Sequence, residues 1–292
     1  MSHPQSVSAV IPRVVRVGGA RGIAALVVAG LAIAVTTSGG IIRAQTAQDA
    51  VPDTNDQRIQ DLVTANHILF DQGVVDGYGH ASVRSRTDPT HFFMSRSQAP
   101  GLVTKDDIME FDADSNQIDA RGRPTYSERF IHGEIYRARP DVQAVVHAHS
   151  PAVLPFTVTA TPLRPVIHTA GFLPPRVPVF EIRAAAGDDN GMLVQTNPIG
   201  AALAKQLGRS SVVLMRGHGM ATVGPSVRHA VFRAIYTQLN AQVQSQALAM
   251  GSVVFLNAVE AEKVNAQNEG TLLSANPRQW RMWEAQANQR AR

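Results

Sequence analysis

Two histidines two residues apart, His147 and His149 in Val145-Val146-His147-Ala148-His149-Ser150, are placed by type and spacing to do chemistry. The apolar run before them predicts a strand. On a strand, positions i and i+2 share a face, so the two imidazoles project together from backbones about 7 Å apart and can converge on one ion. A third histidine has a matching setting. Val212-Val213-Leu214-Met215 reads as a buried strand running into Arg216-Gly217-His218-Gly219-Met220, where flanking glycines allow a sharp turn. Three imidazoles from two strand ends would make a Zn²⁺ site with an open fourth position, the catalytic kind. Alone, His-x-His equally describes one buried and one exposed histidine. His218 strengthens the metal reading, because both strands end in polar loops, where sites collect. The chain has no cysteine, so any metal must rest on His, Asp or Glu and no disulfide framework exists.

Other residues bear on the same site. Thr125-Tyr126-Ser127-Glu128 predicts the start of a helix running to about Ala138. Thr-x-x-Glu is also the capping-box spacing, in which the Glu binds the N-cap N–H, so local spacing favours a structural Glu128 over a catalytic one. His132 lies one turn on, on the same helix face, and reads as a surface residue or a partner of Glu128. Arg84, Arg96 and Arg129 lie in or beside these segments. Arginine grips a carboxylate or phosphate through a bidentate fork, although each alone also suits the surface. His80 and His168 are candidates for substrate contact. Trp280 and Trp283 read as packing for a final helix.

The elements that must position these residues follow from the pattern of the 292-residue chain, 44% of it hydrophobic. Arg13, Arg16, Arg21 and Arg43 are the charged side chains before residue 45; without them basic and acidic residues balance. The net charge of +4 therefore gives no case for nucleic-acid binding. Residues 1–44 read as an export signal: a basic start, an apolar run from Gly22 to Val35, and small residues to Ala44. The run is shorter than the ~20 residues of a spanning helix. The expectation is a periplasmic or exported protein with no stable membrane association after cleavage; an uncleaved membrane anchor is the alternative. No Arg-Arg pair supports a twin-arginine route. Residues 45–55 read as a linker. Ile59, Leu62, Val63, Ile68 and Leu69 have helical spacing between Asp56 and Gln72. Short strands are expected at 79–84, 91–94, 107–111, 177–180 and 221–223. Helices are expected after Pro151, over 197–207 and 226–250, and through most of the last forty residues. Helices alternating with strands predict an α/β fold, three-layered around a mixed sheet.

Together, Gly79-His80-Ala81-Ser82, Tyr126-Ser127-Glu128, His147-Ala148-His149 and Arg216-Gly217-His218-Gly219 resemble the class II aldolase/adducin family, in that family's order. The separation from Glu128 to His147 also matches its bacterial sugar-phosphate aldolases. The resemblance covers residues 56–260, leaving 261–292 as a C-terminal helical extension. It implies an α/β/α fold, a divalent metal held by His147, His149 and His218, and Glu128 as acid/base beside it, which reverses the local reading of Glu128. It also implies a homo-oligomer, commonly a tetramer, with sites near subunit contacts. Where the aldolases have Gly-Asn and Ser-Ser-Glu, this chain has Gly79-His80 and Tyr126-Ser127-Glu128. Both places serve the aldolase phosphate pocket, so His80 and Ser127 become substrate-binding candidates and a phosphorylated sugar is disfavoured. Ser95-Arg96-Ser97-Gln98-Ala99-Pro100-Gly101 and Arg129-Phe130-Ile131-His132-Gly133 resemble the branch that decarboxylates hydroxylated aromatic acids and ring-cleavage semialdehydes.

The expected function is a metal-dependent carbon–carbon lyase that decarboxylates a small hydroxy- or oxo-acid through a stabilised enolate. Zn²⁺ is the expected metal, with Mn²⁺ the alternative. Glu128 moves the proton, and Arg96 or Arg129 binds the substrate carboxylate. An aldolase cleaving a hydroxy-ketone or sugar phosphate is the second reading. A non-catalytic adducin-like module is the third, opposed by the presence of Glu128 and all three histidines.

Overall fold

In the computed structural model, residues 53–118, 122–272 and 277–290 are described. The expected export signal and most of the linker lie outside them. The chain runs α1 (Asn55–Asp71), β1 (His80–Arg84), β2 (Phe92–Ser95), β3 (Ile108–Phe111), α2 (Arg129–Ala138), β4 (Ala144–Ala148), α3 (Leu154–Val158), β5 (Val179–Phe180), α4 (Arg183–Ala186), α5 (Asn197–Leu207), β6 (Val212–Met215), β7 (Gly219–Gly224), α6 (Val227–Met250), α7 (Ala258–Leu272) and α8 (Arg278–Arg290). The strands form one sheet in the order β3-β2-β1-β4-β7-β6-β5. Neighbours are antiparallel except β5 and β6, which are parallel, so the sheet is mixed as expected.

The alternation of side chains along each strand builds two cores, one on each face. Ala144, Val146 and Ala148 of β4 join Leu62, Ile68, Val231 and Ile235 of α1 and α6. Val145, one residue out of phase, joins Ile131, Ile135, Leu203 and Leu207 of α2 and α5. The architecture is therefore α/β/α. Local chemistry sets the helix starts: the hydroxyls of Thr54 and Ser226 accept the Gln57 and His229 N–H groups as N-caps, and Pro198 occupies the first turn of α5, where its missing N–H has no bond to lose.

Three local expectations need correction. The helix after Thr125 begins only at Arg129, with Glu128 as its N-cap residue and no side-chain cap bond. Thr125-x-x-Glu128 is not a capping box, because the Glu128 side chain is drawn to tertiary partners. His132 is not on the surface but fully buried. Pro151 lies in a turn, and α3 starts three residues later. The last two helices are tied to the first core: Trp280 and Trp283 are each 3% exposed and belong to it, and α8 packs on α1. The boundary drawn at 260–261 falls inside α7. Among the described residues, no helix is long and apolar enough to cross a membrane.

Candidate metal centre and active site

His147 leaves the middle of the sheet on the α2 side, the face it shares with Val145. It is fully buried. Its Nδ1 donates to the Met220 carbonyl oxygen across the β4–β7 ladder at 3.0 Å, which leaves Nε2 as a lone-pair donor to a cation. His149 follows one residue beyond the strand. His218 lies in the tight β6–β7 turn, where Gly217 takes φ 63°, a left-handed conformation suited to glycine. At Gly219 a Cβ would stand 2.2 Å from the Ala148 carbonyl oxygen. Only a glycine lets the turn carrying His218 come this close to the strand end carrying the other two histidines.

The three imidazoles converge through the same atom. Nε2 of His149 lies 3.0 Å from Nε2 of His147 and 2.9 Å from Nε2 of His218. His149 Nε2 carries at most one hydrogen, and His147 has its own on Nδ1. With neutral rings, these two contacts therefore cannot both be well-made hydrogen bonds. A cation bound by all three removes that conflict, so the donor set fits a divalent metal. The Glu128 carboxylate completes a cluster whose donor atoms all lie within 4.8 Å of one another. Its Oε2 is 3.5 Å from His147 and 3.3 Å from His218, and its Oε1 accepts the Val194 N–H at 2.9 Å. Burial opposes ionisation of Glu128, but the facing imidazoles of His147 and His218 prevail and hold its carboxyl well below the usual range. Burial, and then the neighbouring His147 and His218, push His149 down to about 4, so its lone pair is free at neutral pH.

The donor set opens on a cavity of about 370 Å³, within the usual size of small-molecule sites. Glu128 and His149 line it, and so do His80 and Ser127. The other three candidates for substrate binding do not. Arg96 turns its Nε to Asp107 at 2.5 Å. Arg129 donates to the Ser115 and Tyr126 carbonyl oxygens and lies over the Phe130 ring. His168 is an exposed residue of a single 3-10 turn, away from the cavity wall. Arg84 is spent inside the protein on the carbonyl oxygens of Val142, Pro89, Tyr136 and Arg139. Each arginine satisfies nearby acceptors first, which residue type alone does not reveal. Among the described residues, no arginine or lysine lines the cavity.

Sequence reasoning missed other lining residues. Tyr78 is 70% exposed, with its ring 6.0 Å from that of His149 and nearly parallel to it. Tyr126 hydrogen-bonds Gln98 and Ser95 through its hydroxyl. Tyr78 precedes Gly79 and Tyr126 stands two residues before Glu128, so adjacency to the motifs was the available signal. Leu193 carried none, because it arrives from the loop that supplies the Val194 N–H.

An α/β/α protein with three histidines and a glutamate converging at a cavity wall defines a class of metal-site protein in which substrate and ion can meet. Residues 60–245 match the model for the class II aldolase and adducin N-terminal domain. The chain belongs to this family. It is 40% identical over 206 residues to the decarboxylase tropJ of Talaromyces stipitatus, covering 66% of this chain and 77% of that protein. It is 30% identical over 208 residues to the 3,4-dihydroxyphthalate decarboxylase of Arthrobacter keyseri, covering 66% and 79%. Among solved structures, L-fuculose 1-phosphate aldolase from Glaciozyma antarctica PI12 superposes with a TM-score of 0.67 at 23% identity, covering 85% of this chain and 99% of that one. At that identity the match shows the fold alone.

Proposed function

We propose that the protein is a metal-dependent carbon–carbon lyase that decarboxylates a small hydroxy- or oxo-acid of aromatic origin. The observation that carries this reading is the cavity wall beside the histidine cluster. Its aromatic rings and neutral polar groups beside Glu128, with no arginine or lysine among the described residues, suit a flat, mostly apolar acid better than a phosphate. The two decarboxylase relatives support the same choice.

Decarboxylation replaces a carbon–carboxylate bond with a carbon–hydrogen bond. The carboxylate leaves as CO₂, its electron pair stays on the carbon and spreads to a neighbouring oxygen as an enolate, and a proton must reach that carbon. Glu128, ionised in the free protein, takes a proton from the substrate hydroxyl or from water and delivers it to the carbon that CO₂ has left. The Val194 N–H holds one carboxylate oxygen, leaving the other beside the donor set. His80 and Ser127 contact substrate from the cavity wall. A divalent cation on His147, His149 and His218, Zn²⁺ before Mn²⁺ for an all-imidazole set, supplies Lewis acidity to the substrate oxygens where charge builds. The protein works as a homo-oligomer, a tetramer by family resemblance. Exposed apolar side chains along α6 and just beyond it, including Leu239, Val243, Met250 and Val254, support self-association. Export to the periplasm belongs to the same proposal.

The test is product identity. Metal-loaded protein is given a panel of hydroxylated aromatic acids, oxo-acids, hydroxy-ketones and sugar phosphates, and CO₂ and aldehyde are measured. CO₂ from a hydroxylated or oxo-acid is expected. Aldehyde from a hydroxy-ketone or sugar phosphate, with no CO₂ from any acid, would replace this reading with the aldolase one.

A further inference from the structure

Behind the cavity wall, a line of four polar side chains runs into the core between β1 and α2. His80 and Ser82 stand two apart on β1, on the face that looks toward α2. His132 and Tyr136 stand four apart on α2 and so share the helix face that meets them. His80 Nδ1 lies 2.7 Å from His132 Nε2, His132 Nδ1 lies 2.6 Å from the Ser82 hydroxyl, and that hydroxyl lies 2.7 Å from the Tyr136 phenol oxygen. All four residues are at most 5% exposed. At the outer end His80 lines the cavity, held between the rings of Tyr126 at 4.5 Å and His147 at 5.0 Å.

Such a chain can point either way, and each direction gives His80 a different tautomer. The inner end decides. Tyr136 is buried, and its O–H must find an acceptor. Among the described residues its one hydrogen-bonding side chain is Ser82. Among the described residues, the other groups that act on it, the Val145 N–H and the Arg84 and Arg58 guanidiniums, can only donate. The phenol therefore donates to Ser82, Ser82 donates to His132 Nδ1, and His132 Nε2–H donates to His80 Nδ1. A neutral His80 is left with its hydrogen on Nε2, and among the described residues that nitrogen has no protein partner.

We infer that His80 is a substrate-facing hydrogen-bond donor whose Nε2–H tautomer is fixed by the chain Tyr136, Ser82 and His132. It serves the substrate oxygen on which charge collects as the carbon–carbon bond breaks. Tyr136, Ser82 and His132 are positioning residues and touch no substrate. The donor stays neutral throughout, so no proton leaves the chain. The substrate half of this inference rests on the proposed decarboxylation; the tautomer half does not.

The experiment uses full-length, zinc-loaded protein labelled with ¹⁵N-histidine, and reads each ring's tautomer from two-bond ¹H–¹⁵N correlations. The His80 signals are assigned by their loss in His80→Gln. In the wild type, His80 is expected as the pure Nε2–H form. Tyr136→Phe removes the group that sets the direction, so the His80 signals should move toward a mixture of tautomers and kcat should fall with less change in KM. His80→Phe should lower kcat about 10²–10³-fold, as loss of an oxyanion donor does, with partial recovery in His80→Gln, which keeps an N–H. If Tyr136→Phe does not fold, Ser82→Ala breaks the chain at its middle and has the same expected readout; the wild-type spectrum is decisive in any case. An Nδ1–H or doubly protonated His80 in the wild type overturns the inference. So does an unchanged His80 tautomer in the variant. A pure Nε2–H His80 in a protein that releases no CO₂ would overturn the decarboxylase reading while leaving the tautomer assignment standing.

Discussion

At the scale of the residue, Glu128 decides between structure and chemistry. Its side chain caps nothing; it spends one oxygen on the Val194 N–H and turns the other to His147 and His218. Glu128→Gln keeps a carbonyl acceptor for Val194 but cannot cycle a proton. Turnover should fall about 10²–10⁴-fold, with bound metal and thermal unfolding near wild type. Wild-type turnover in this variant, measured beside metal content, would move the proton to another group. His147→Ala, His149→Ala and His218→Ala should each lose bound metal; elemental analysis showing full occupancy in one of them removes that histidine from the ligand set. These three were legible in sequence because strand period and flanking glycines fix where an imidazole points. The arginines were not, since the acceptors that claim Arg96 and Arg129, namely Asp107, Ser115 and Tyr126, are set by the fold and not by residue type. His132 was misread for the same reason: its partners His80 and Ser82 lie some fifty residues away.

At the scale of the element, the site depends on how closely two strand ends approach. Gly219→Ala places a methyl against the Ala148 carbonyl. The strain should destabilise the fold by about 1–3 kcal/mol, as overpacking does, and weaken metal binding by moving His218 from its partners. Denaturant unfolding with metal titration checks both, and unchanged values would show that the strand ends yield freely. The boundaries of α5 and α6 were readable from Asn197-Pro198 and from Ser226, because caps and proline act locally. The start of α2 was not, because the competing partners of Glu128 are tertiary. α8 makes a separate point. Trp283→Ala should lower unfolding stability by about 3–5 kcal/mol, since the indole is buried in the core shared with α1 and α6; a change under 1 kcal/mol would mean that α8 is not integral to that core.

At the scale of the whole molecule, the α/β/α layering was legible because alternating apolar strands and amphipathic helices leave few ways to cover both faces of one sheet. The N-terminal segment bears on where the protein works. Protein recovered from the periplasm should begin near Gln45 by N-terminal sequencing, and soluble cytoplasmic protein with an intact start would end the export proposal. The central claim is that a cation on His147, His149 and His218 is required for release of CO₂. The direct measurement strips the metal with a chelator, returns Zn²⁺ or Mn²⁺ in steps, and follows bound metal and CO₂ release together on the best acid from the panel. Release should vanish with the metal and return in proportion to it, levelling at a single ion per chain. Undiminished CO₂ release from protein shown by elemental analysis to hold no metal would contradict the account.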